Sequence, residues 1–356
     1  MAMRILVVDD AVVFRRAISD ALAGLADVEV AGTAVNGKMA LARLHALQPD
    51  LMTLDVEMPE MNGIEVLEHM RAEKLETGVI VLSALTVRGG ELTIRALELG
   101  AFDFLTKPEG GTAERNTALL RAQLLPLIEA FKRRREVRAR RQGATPRAVP
   151  PPATAVRPSS RPGPPIVLIG VSTGGPAALA TLLPGLPAGL AAPVFVVQHM
   201  PPLFTRPLAE SLARKCATPV KEASDGECAR NGCVYLAPGG RQMKLTRGPT
   251  GEIVIRITDD PAENNCRPAV DYLFRSAALQ FPGRAVAAIL TGMGNDGTQG
   301  LRLLKRGGCR SIAQDEASCV VFGMPKEAIQ AGVVDVVAPL DKIAAAIVNA
   351  VGGAAR

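Results

Sequence analysis

Short apolar runs alternate with amphipathic stretches from the first residues of the chain. Arg4-Ile5-Leu6-Val7-Val8, Val28 to Val35, Leu51-Met52-Thr53-Leu54, Val79-Ile80-Val81-Leu82 and Phe102-Asp103-Phe104-Leu105 read as strands. Val13 to Leu22, Met39 to Leu47, Ile64 to Leu75 and Glu91 to Leu99 repeat their apolar residues at helical spacing. Strands separated by helices of this length predict βαβ units and a parallel sheet. A last amphipathic helix is predicted over Thr117 to roughly Arg135. The pattern then breaks into Gln142-Gly143-Ala144-Thr145-Pro146, Pro150-Pro151-Pro152 and Arg161-Pro162-Gly163-Pro164-Pro165. Proline at that density removes backbone donors and favours extended chain, so this stretch predicts a semi-rigid spacer. Beyond it the α/β pattern resumes with strands at Ile166-Val167-Leu168-Ile169-Gly170, Val194-Phe195-Val196-Val197 and Ala285 to Leu290, and a helix opening at Pro176. The expectation is a domain over 1–125, a helix end and linker over 126–164, and a second domain over 165–352.

Composition narrows the function classes. A chain of 356 residues, 48% of them hydrophobic, supports two ordinary cores. Trp is absent and Tyr occurs twice, so aromatic platforms for stacking nucleic-acid bases are scarce despite the basic balance. The charge is concentrated: residues 132–161 hold ten Lys or Arg against Glu136 alone, a local net of +9. Since the whole chain carries +6, the remainder sums to −3, and the basic run reads as a solvated helix end followed by a linker. All six cysteines (216, 228, 233, 266, 309, 319) lie in the second half without C-x-x-C pairs or zinc-ligand spacing, as expected for thiols in a reducing compartment. A strand pattern begins within a few residues of the start, with no signal-peptide pattern, and no apolar run has the length of a membrane span, so a cytosolic protein is expected.

The polar residues at the strand ends carry the first chemistry. Asp9 and Asp10 follow strand one, Asp55 strand three, Ser83 strand four and Lys107 strand five. In a parallel sheet these ends share one edge, where ligands gather. Three carboxylates there repel unless a cation joins them, and an oxygen-only set suits Mg²⁺. Asp55 is then a nucleophile for a phosphoryl group, with Lys107 and the Ser83 hydroxyl placed to stabilise its oxygens. One Asp after a strand is usually a cap or turn residue; five polar groups at matching ends are harder to dismiss. Through Val7-Val8-Asp9-Asp10, Leu54-Asp55-Val56-Glu57-Met58-Pro59, Ser83-Ala84 and Thr106-Lys107-Pro108, residues 1 to about 125 resemble the response-regulator receiver family. The resemblance implies a flavodoxin-like (βα)5 fold, Asp55 as phosphoacceptor, Mg²⁺ held with help from Asp9 and Asp10, and Ser83 with Phe104 as the switch.

In the second half, Ser172 lies on a tight turn between a strand and a helix, with Gly174 and Gly175 allowing close backbone approach. A helix N-cap is the bland reading. A dinucleotide cradle is a minor alternative, since Gly170-x-Ser172-x-Gly174-Gly175 has Ser where the fingerprint needs its second Gly, and strand two ends in Gln198-His199 instead of an acid. The third reading is a hydrolase. His199 ends the second strand, Asp296 follows the third, and His199 is the only histidine beyond the linker, His45 and His69 being the others in the chain. Ser172 would attack an acyl carbon, His199 take its proton and Asp296 orient the imidazole. The spacing Gly170-x-Ser172-x-Gly174 matches the elbow of α/β-hydrolases, but the order Ser, His, Asp does not.

Residues 166–350 resemble the catalytic domain of the chemotaxis protein-glutamate methylesterase family. The resemblance rests on Ser172-Thr173-Gly174-Gly175-Pro176, Gln198-His199-Met200-Pro201-Pro202, Thr291-Gly292-Met293-Gly294-Asn295-Asp296-Gly297 and Val321-Phe322-Gly323-Met324-Pro325. It implies a doubly wound, mostly parallel α/β domain with a β-hairpin insertion and oxyanion donors near Thr173 and Met293. The activity implied is hydrolysis of glutamate γ-methyl esters on chemoreceptors, deamidation of receptor glutamines, and control by phosphorylation, with the receiver covering the Ser172 face until Asp55 is phosphorylated. The partners implied are methylated chemoreceptors and a sensor histidine kinase, and the esterase reaction needs no cofactor. Gln242 and Cys266 stand where the family commonly has His, which predicts altered contacts at the substrate rim. Two rival classes share part of the pattern: a receptor-docking regulator without catalysis, and a receiver joined to a DNA-binding module, which would want a helix-turn-helix after the linker.

Overall fold

The computed structural model describes residues 2–141 and 164–354. Residues 142–163, which make up nearly all of the expected Pro/Arg-rich spacer, lie outside the described residues. The chain divides into two compact units, Met1–Gln142 and Gly143–Arg356.

The first unit runs β1 (Met3–Val8), α1 (Val12–Ala23), β2 (Val28–Ala34), α2 (Gly37–Leu47), β3 (Leu51–Asp55), α3 (Gly63–Ala72), β4 (Gly78–Ser83), α4 (Val87–Glu98), β5 (Asp103–Thr106) and α5 (Ala113–Arg141). Its five strands pair in parallel in the order β2-β1-β3-β4-β5. Helices cover both faces of such a sheet, so β1, β3 and β4 must be apolar nearly throughout. Ile5, Leu6, Val7, Val8, Leu51, Met52, Leu54, Ile80, Val81 and Leu82 are accordingly all fully buried.

One helix boundary differs from the sequence pattern, and the last predicted helix crosses the expected end of the first domain. α4 starts at Val87 instead of Glu91 because Thr86 caps it, its hydroxyl accepting from the Gly89 amide at 2.9 Å; the Gly89-Gly90 pair hides this start. α5 runs through residue 125, the expected end of the first domain, and carries Pro126 in its interior. Leu127, Ile128 and Phe131 beyond that point are buried, and the Phe131 ring meets Phe102 edge-on at 5.2 Å. The core of the first unit therefore extends at least to Phe131. Along the last turns, Arg135 pairs with Asp50 and Arg133 to Glu136 face solvent, as the charge pattern predicts.

The second unit runs β6 (Ile166–Val171), α6 (Gly175–Leu182), β7 (Val194–Gln198), α7 (Thr205–Ala213), β8 (Val220–Glu222), β9 (Val234–Leu236), β10 (Gln242–Arg247), β11 (Ile253–Thr258), α8 (Val270–Gln280), β12 (Ala285–Ile289), α9 (Thr298–Arg306), β13 (Arg310–Gln314), α10 (Met324–Gln330), β14 (Val336–Ala338) and α11 (Leu340–Ala354). Seven strands form one sheet in the order β14-β13-β12-β6-β7-β9-β8, every pairing parallel. The chain starts at β6, builds outward through β7, then returns to the other side of β6 with β12. β10 and β11 form a separate antiparallel hairpin. Its buried positions alternate along β11, and Met243, Leu245, Ile255 and Ile257 join Leu273 and Phe274 of α8 in the core.

Phe131→Ala removes a buried aromatic from the first unit. It is expected to lower that unit's stability by about 3 kcal/mol, read as an earlier transition in chemical denaturation of the full chain.

Candidate functional site

In the first unit the order of strand addition reverses between β1 and β3, and the acid cluster stands at their carboxyl ends. Asp55 closes β3 and Asp9 follows β1, both buried, while Asp10 is exposed. Lys107 Nζ bridges the pair, 2.6 Å from Asp55 Oδ2 and 2.8 Å from Asp9 Oδ2, and lies over the Phe14 ring at 4.9 Å. Burial drives the Asp55 carboxyl up to about 6 although the Lys107 charge pulls the other way, and burial likewise raises Asp9. Lys107 is raised: burial opposes its charge, and the two carboxylates outweigh burial.

The site thus holds more buried negative charge than one ammonium balances. Asp9, Asp10 and Asp55 each offer an oxygen within 4.8 Å of the others, and the buried Asp9 Oδ2, although ion-paired to Lys107, accepts no hydrogen bond. An all-oxygen donor set with an unsatisfied buried acceptor fits a hard divalent cation such as Mg²⁺. Ser83 ends β4, fully buried, and its hydroxyl donates to the Gly89 carbonyl at 3.0 Å instead of pointing toward Asp55. Phe104 lies half-buried on β5, where its backbone is in register with Val81 of β4.

In the second unit the reversal falls at β6, and the three expected residues follow β6 and its two neighbours. Ser172 comes directly after β6, His199 after β7 and Asp296 in the loop after β12. Backbone pairing carries past the strand ends: His199 N–H donates to the Val171 carbonyl at 3.1 Å, and Ser172 N–H to Thr291 at 3.0 Å. The buried Gln198 amide donates to the carbonyls of Ser172 at 3.1 Å and His199 at 3.0 Å, clamping the two loops together. The chain turns after Ser172 through Gly174 at φ 75° and enters α6. Gly292 lies against Ser172 so closely that a Cβ there would come within 2.8 Å of the serine Cβ.

Asp296 is built as a carboxylate. Its oxygens accept from the backbone amides of Val270, Asp271 and Gly297 at 2.6, 3.0 and 3.0 Å, and from the Asn264 side chain at 3.0 Å. Val270 and Asp271 open α8, so the helix N-terminus also favours the negative charge. Burial would raise this carboxyl, yet the His199 hydrogen bond and charge and these amides leave it below its ordinary value.

His199 Nε2 lies 2.7 Å from Asp296 Oδ2. A carboxylate only accepts, so the proton of the neutral ring sits on Nε2 and Nδ1 carries the lone pair. Among the described residues the Ser172 hydroxyl makes no hydrogen bond to His199; Nδ1 instead faces the Cys266 sulfur at 3.5 Å. Burial alone would lower the imidazole pKa. The hydrogen bond to Asp296 and the contact with Cys266 reverse that, and His199 is pushed up to about 9. Among the described residues the Thr173 and Met293 amides donate no hydrogen bond, so both are free to hold an oxyanion.

Two contributors carry no sequence signal, and a third is placed differently from its expectation. Asn264 bridges Asp296 and the buried Asp271, whose other oxygen accepts from Gly300; in the sequence it is one of eight asparagines with nothing to single it out. The α8 N-terminus meets Asp296 across 25 residues of chain. Gln242, expected near a substrate rim, is fully buried: it accepts from the Ala269 amide at 2.9 Å and donates to the Pro261 carbonyl at 3.0 Å. It braces the loop that carries Cys266, which is where the altered side chain reaches the site.

Comparison with known proteins agrees with both units. The family model described as CheB methylesterase matches residues 167–347, and that of the response regulator receiver domain matches residues 5–116. A protein-glutamate methylesterase/protein-glutamine glutaminase of Desulfotalea psychrophila is 48% identical over 98% of both chains. One of the same description from Bacillus subtilis is 44% identical, again over 98% of each. The solved Thermotoga maritima CheB methylesterase catalytic domain covers 52% of this chain and 98% of its own, with 44% identity and a TM-score of 0.52. The chain belongs to the CheB methylesterase family and carries a receiver domain ahead of the catalytic one.

Proposed function

We propose that this chain is a chemotaxis response regulator whose second domain hydrolyses glutamate γ-methyl esters on chemoreceptors and deamidates receptor glutamines, at a rate set by phosphorylation of the first. The observation that carries the reading is the His199–Asp296 pair at the strand ends beside Ser172, in a chain nearly half identical to protein-glutamate methylesterases along its length. We take the domains as the units built around the two sheets, with the first core reaching at least Phe131.

Ser172 Oγ attacks the ester carbonyl and His199 takes its proton at Nδ1, because Nε2 is committed to Asp296. The free Thr173 and Met293 amides hold the oxyanion, and α6 directs its N-terminus toward the same place. The proton on Nδ1 passes to the departing methoxide, methanol leaves, and water deprotonated by the same nitrogen releases the glutamate. An amide in place of the ester follows the same steps and releases ammonia. Asp296, held by four donors, keeps the ring oriented and balances the imidazolium.

In the first domain Asp55 accepts the phosphoryl group from a sensor histidine kinase. Asp9, Asp10 and Asp55 would hold Mg²⁺, which when bound would supply positive charge to balance these carboxylates and the incoming phosphoryl oxygens. Lys107, already 2.6 Å from Asp55, neutralises the acyl phosphate oxygens. Ser83, turned onto the Gly89 carbonyl before phosphorylation, and Phe104 on the adjoining strand form the switch. Among the described residues no helix is long and apolar enough to cross a membrane; we place the protein in the cytosol, where receptor signalling helices are reached. A DNA-binding module has no observation in its favour, since a strand and turn with Ser172 open the second unit.

Three outcomes follow. Ser172→Ala should cut methanol release from methylated receptor membranes by at least ~10⁴-fold with an unchanged melting curve; retained turnover would mean the nucleophile is misassigned. Asp55→Asn should abolish the stimulation of methanol release by acetyl phosphate while leaving the unstimulated rate in place. Because His199 is raised to about 9 and only its neutral form accepts a proton, kcat/KM should climb with pH toward about 9, by about tenfold per unit at the acid end. Initial rates corrected for spontaneous ester hydrolysis test this, and a plateau reached near pH 7 contradicts it.

A further inference from the structure

The nitrogen that the mechanism needs is the one facing a thiol. His199 Nδ1 lies 3.5 Å from Cys266 Sγ, within hydrogen-bonding reach for sulfur, while Nε2 is held by Asp296 at 2.7 Å. Nucleophile, base and orienting carboxylate within reach of one another are the arrangement that activates cysteine as well as serine. We infer that Cys266 shares His199 with Ser172 and is the reactive thiol of this chain, a site at which soft electrophiles form a covalent adduct that disables the esterase.

The surroundings of the other thiols favour this assignment. Cys233 and Cys309 are buried, and burial raises Cys216, Cys233 and Cys319 and keeps them as thiols. Cys228 is exposed, and the two remaining histidines belong to the first unit, so it has no imidazole partner. Cys266 is only half-buried. Its loop is fixed: Gln242 reaches the Cys266 and Pro261 carbonyls, and the Glu263 and Cys266 backbones pair at 3.1 and 2.7 Å.

With a haloacetamide the step balances. The Cys266 S–H bond breaks and its proton moves to Nδ1; sulfur displaces iodide, the S–C bond forms as C–I breaks, and the imidazolium proton passes to solvent. The adduct then stands between Nδ1 and the Ser172 hydroxyl. The blocking half of the inference rests on the esterase reading; the reactivity half does not.

The test uses the full-length protein, sub-stoichiometric iodoacetamide near neutral pH, and mass spectrometry of each cysteine peptide over time, with methanol release measured on the same samples. Cys266 should label at least ~10-fold faster than Cys228, and His199→Gln should remove most of that advantage while Cys228 labels as before. Labelling of Cys233 and Cys309 would expose an unfolded variant, and His199→Asn then serves in its place. Activity should fall in step with Cys266 labelling, and Cys266→Ala should keep its own starting rate through the treatment. Equal labelling of Cys266 and Cys228, or a rate indifferent to His199, overturns the reactive thiol. Full turnover by labelled protein overturns the block. If the esterase reading itself is wrong, turnover survives Ser172→Ala while the labelling result stands.

Discussion

Within each of the two main sheets every strand is parallel to its neighbours, and that constraint organises each unit. A parallel sheet sends all its carboxyl ends to one edge. Where the chain reverses its order of strand addition, the loops on either side diverge and leave a crevice at that edge. The first unit reverses at β1 and β3, which end at Asp9 and Asp55; the second reverses at β6, which ends at Ser172, with His199 and Asp296 on the neighbouring strands. Two unrelated chemistries therefore occupy the same topological position. Apolar strands buried on both faces fix the backbone there, and only the residue after each strand is free to vary.

The two crevices handle buried acid in opposite ways. Asp296 is satisfied by three backbone amides, the Asn264 amide and the His199 ring, and its charge is stabilised before any substrate arrives. Asp9 and Asp55 share a single ammonium, and Asp9 Oδ2 accepts no hydrogen bond. A fully satisfied carboxylate suits an orienting role in which its charge never changes. An undersatisfied pair suits a site that gains and loses a phosphoryl group, because the resting state leaves electrostatic room for further ligands.

Gln242 and Cys266 illustrate how one substitution depends on its neighbour. Gln242 fills a sealed space and spends its hydrogen bonds on the Pro261 and Ala269 backbones, holding the loop that presents Cys266 to His199. Neither residue adds a contact at an exposed rim. Together they set what stands next to the candidate base: a weakly bonding, polarisable sulfur at 3.5 Å leaves Nδ1 with a partner that it can give up.

Periodicity alone located the five strands of the first unit, and Asp9, Asp55, Ser83 and Lys107 at their ends, because a buried parallel strand has to be apolar and stops where the polar residues begin. It located Ser172, His199 and Asp296 for the same reason, and the scarcity of histidine singled out His199 as the candidate base of the second unit. The helix past residue 125 was legible, but the burial of Leu127, Ile128 and Phe131 on it was not, since Pro126 and the following basic residues resemble a departure from the core while Phe131 still packs inside. Nor was the seating of Asp296 on the α8 N-terminus, the role of Asn264, or the choice of Nδ1 over Nε2. Those depend on where loops distant in sequence meet, and on which ring nitrogen the carboxylate reaches. Local residue pattern encodes burial and strand ends; the direction of a side chain within a crevice is decided only when the sheet has closed around it.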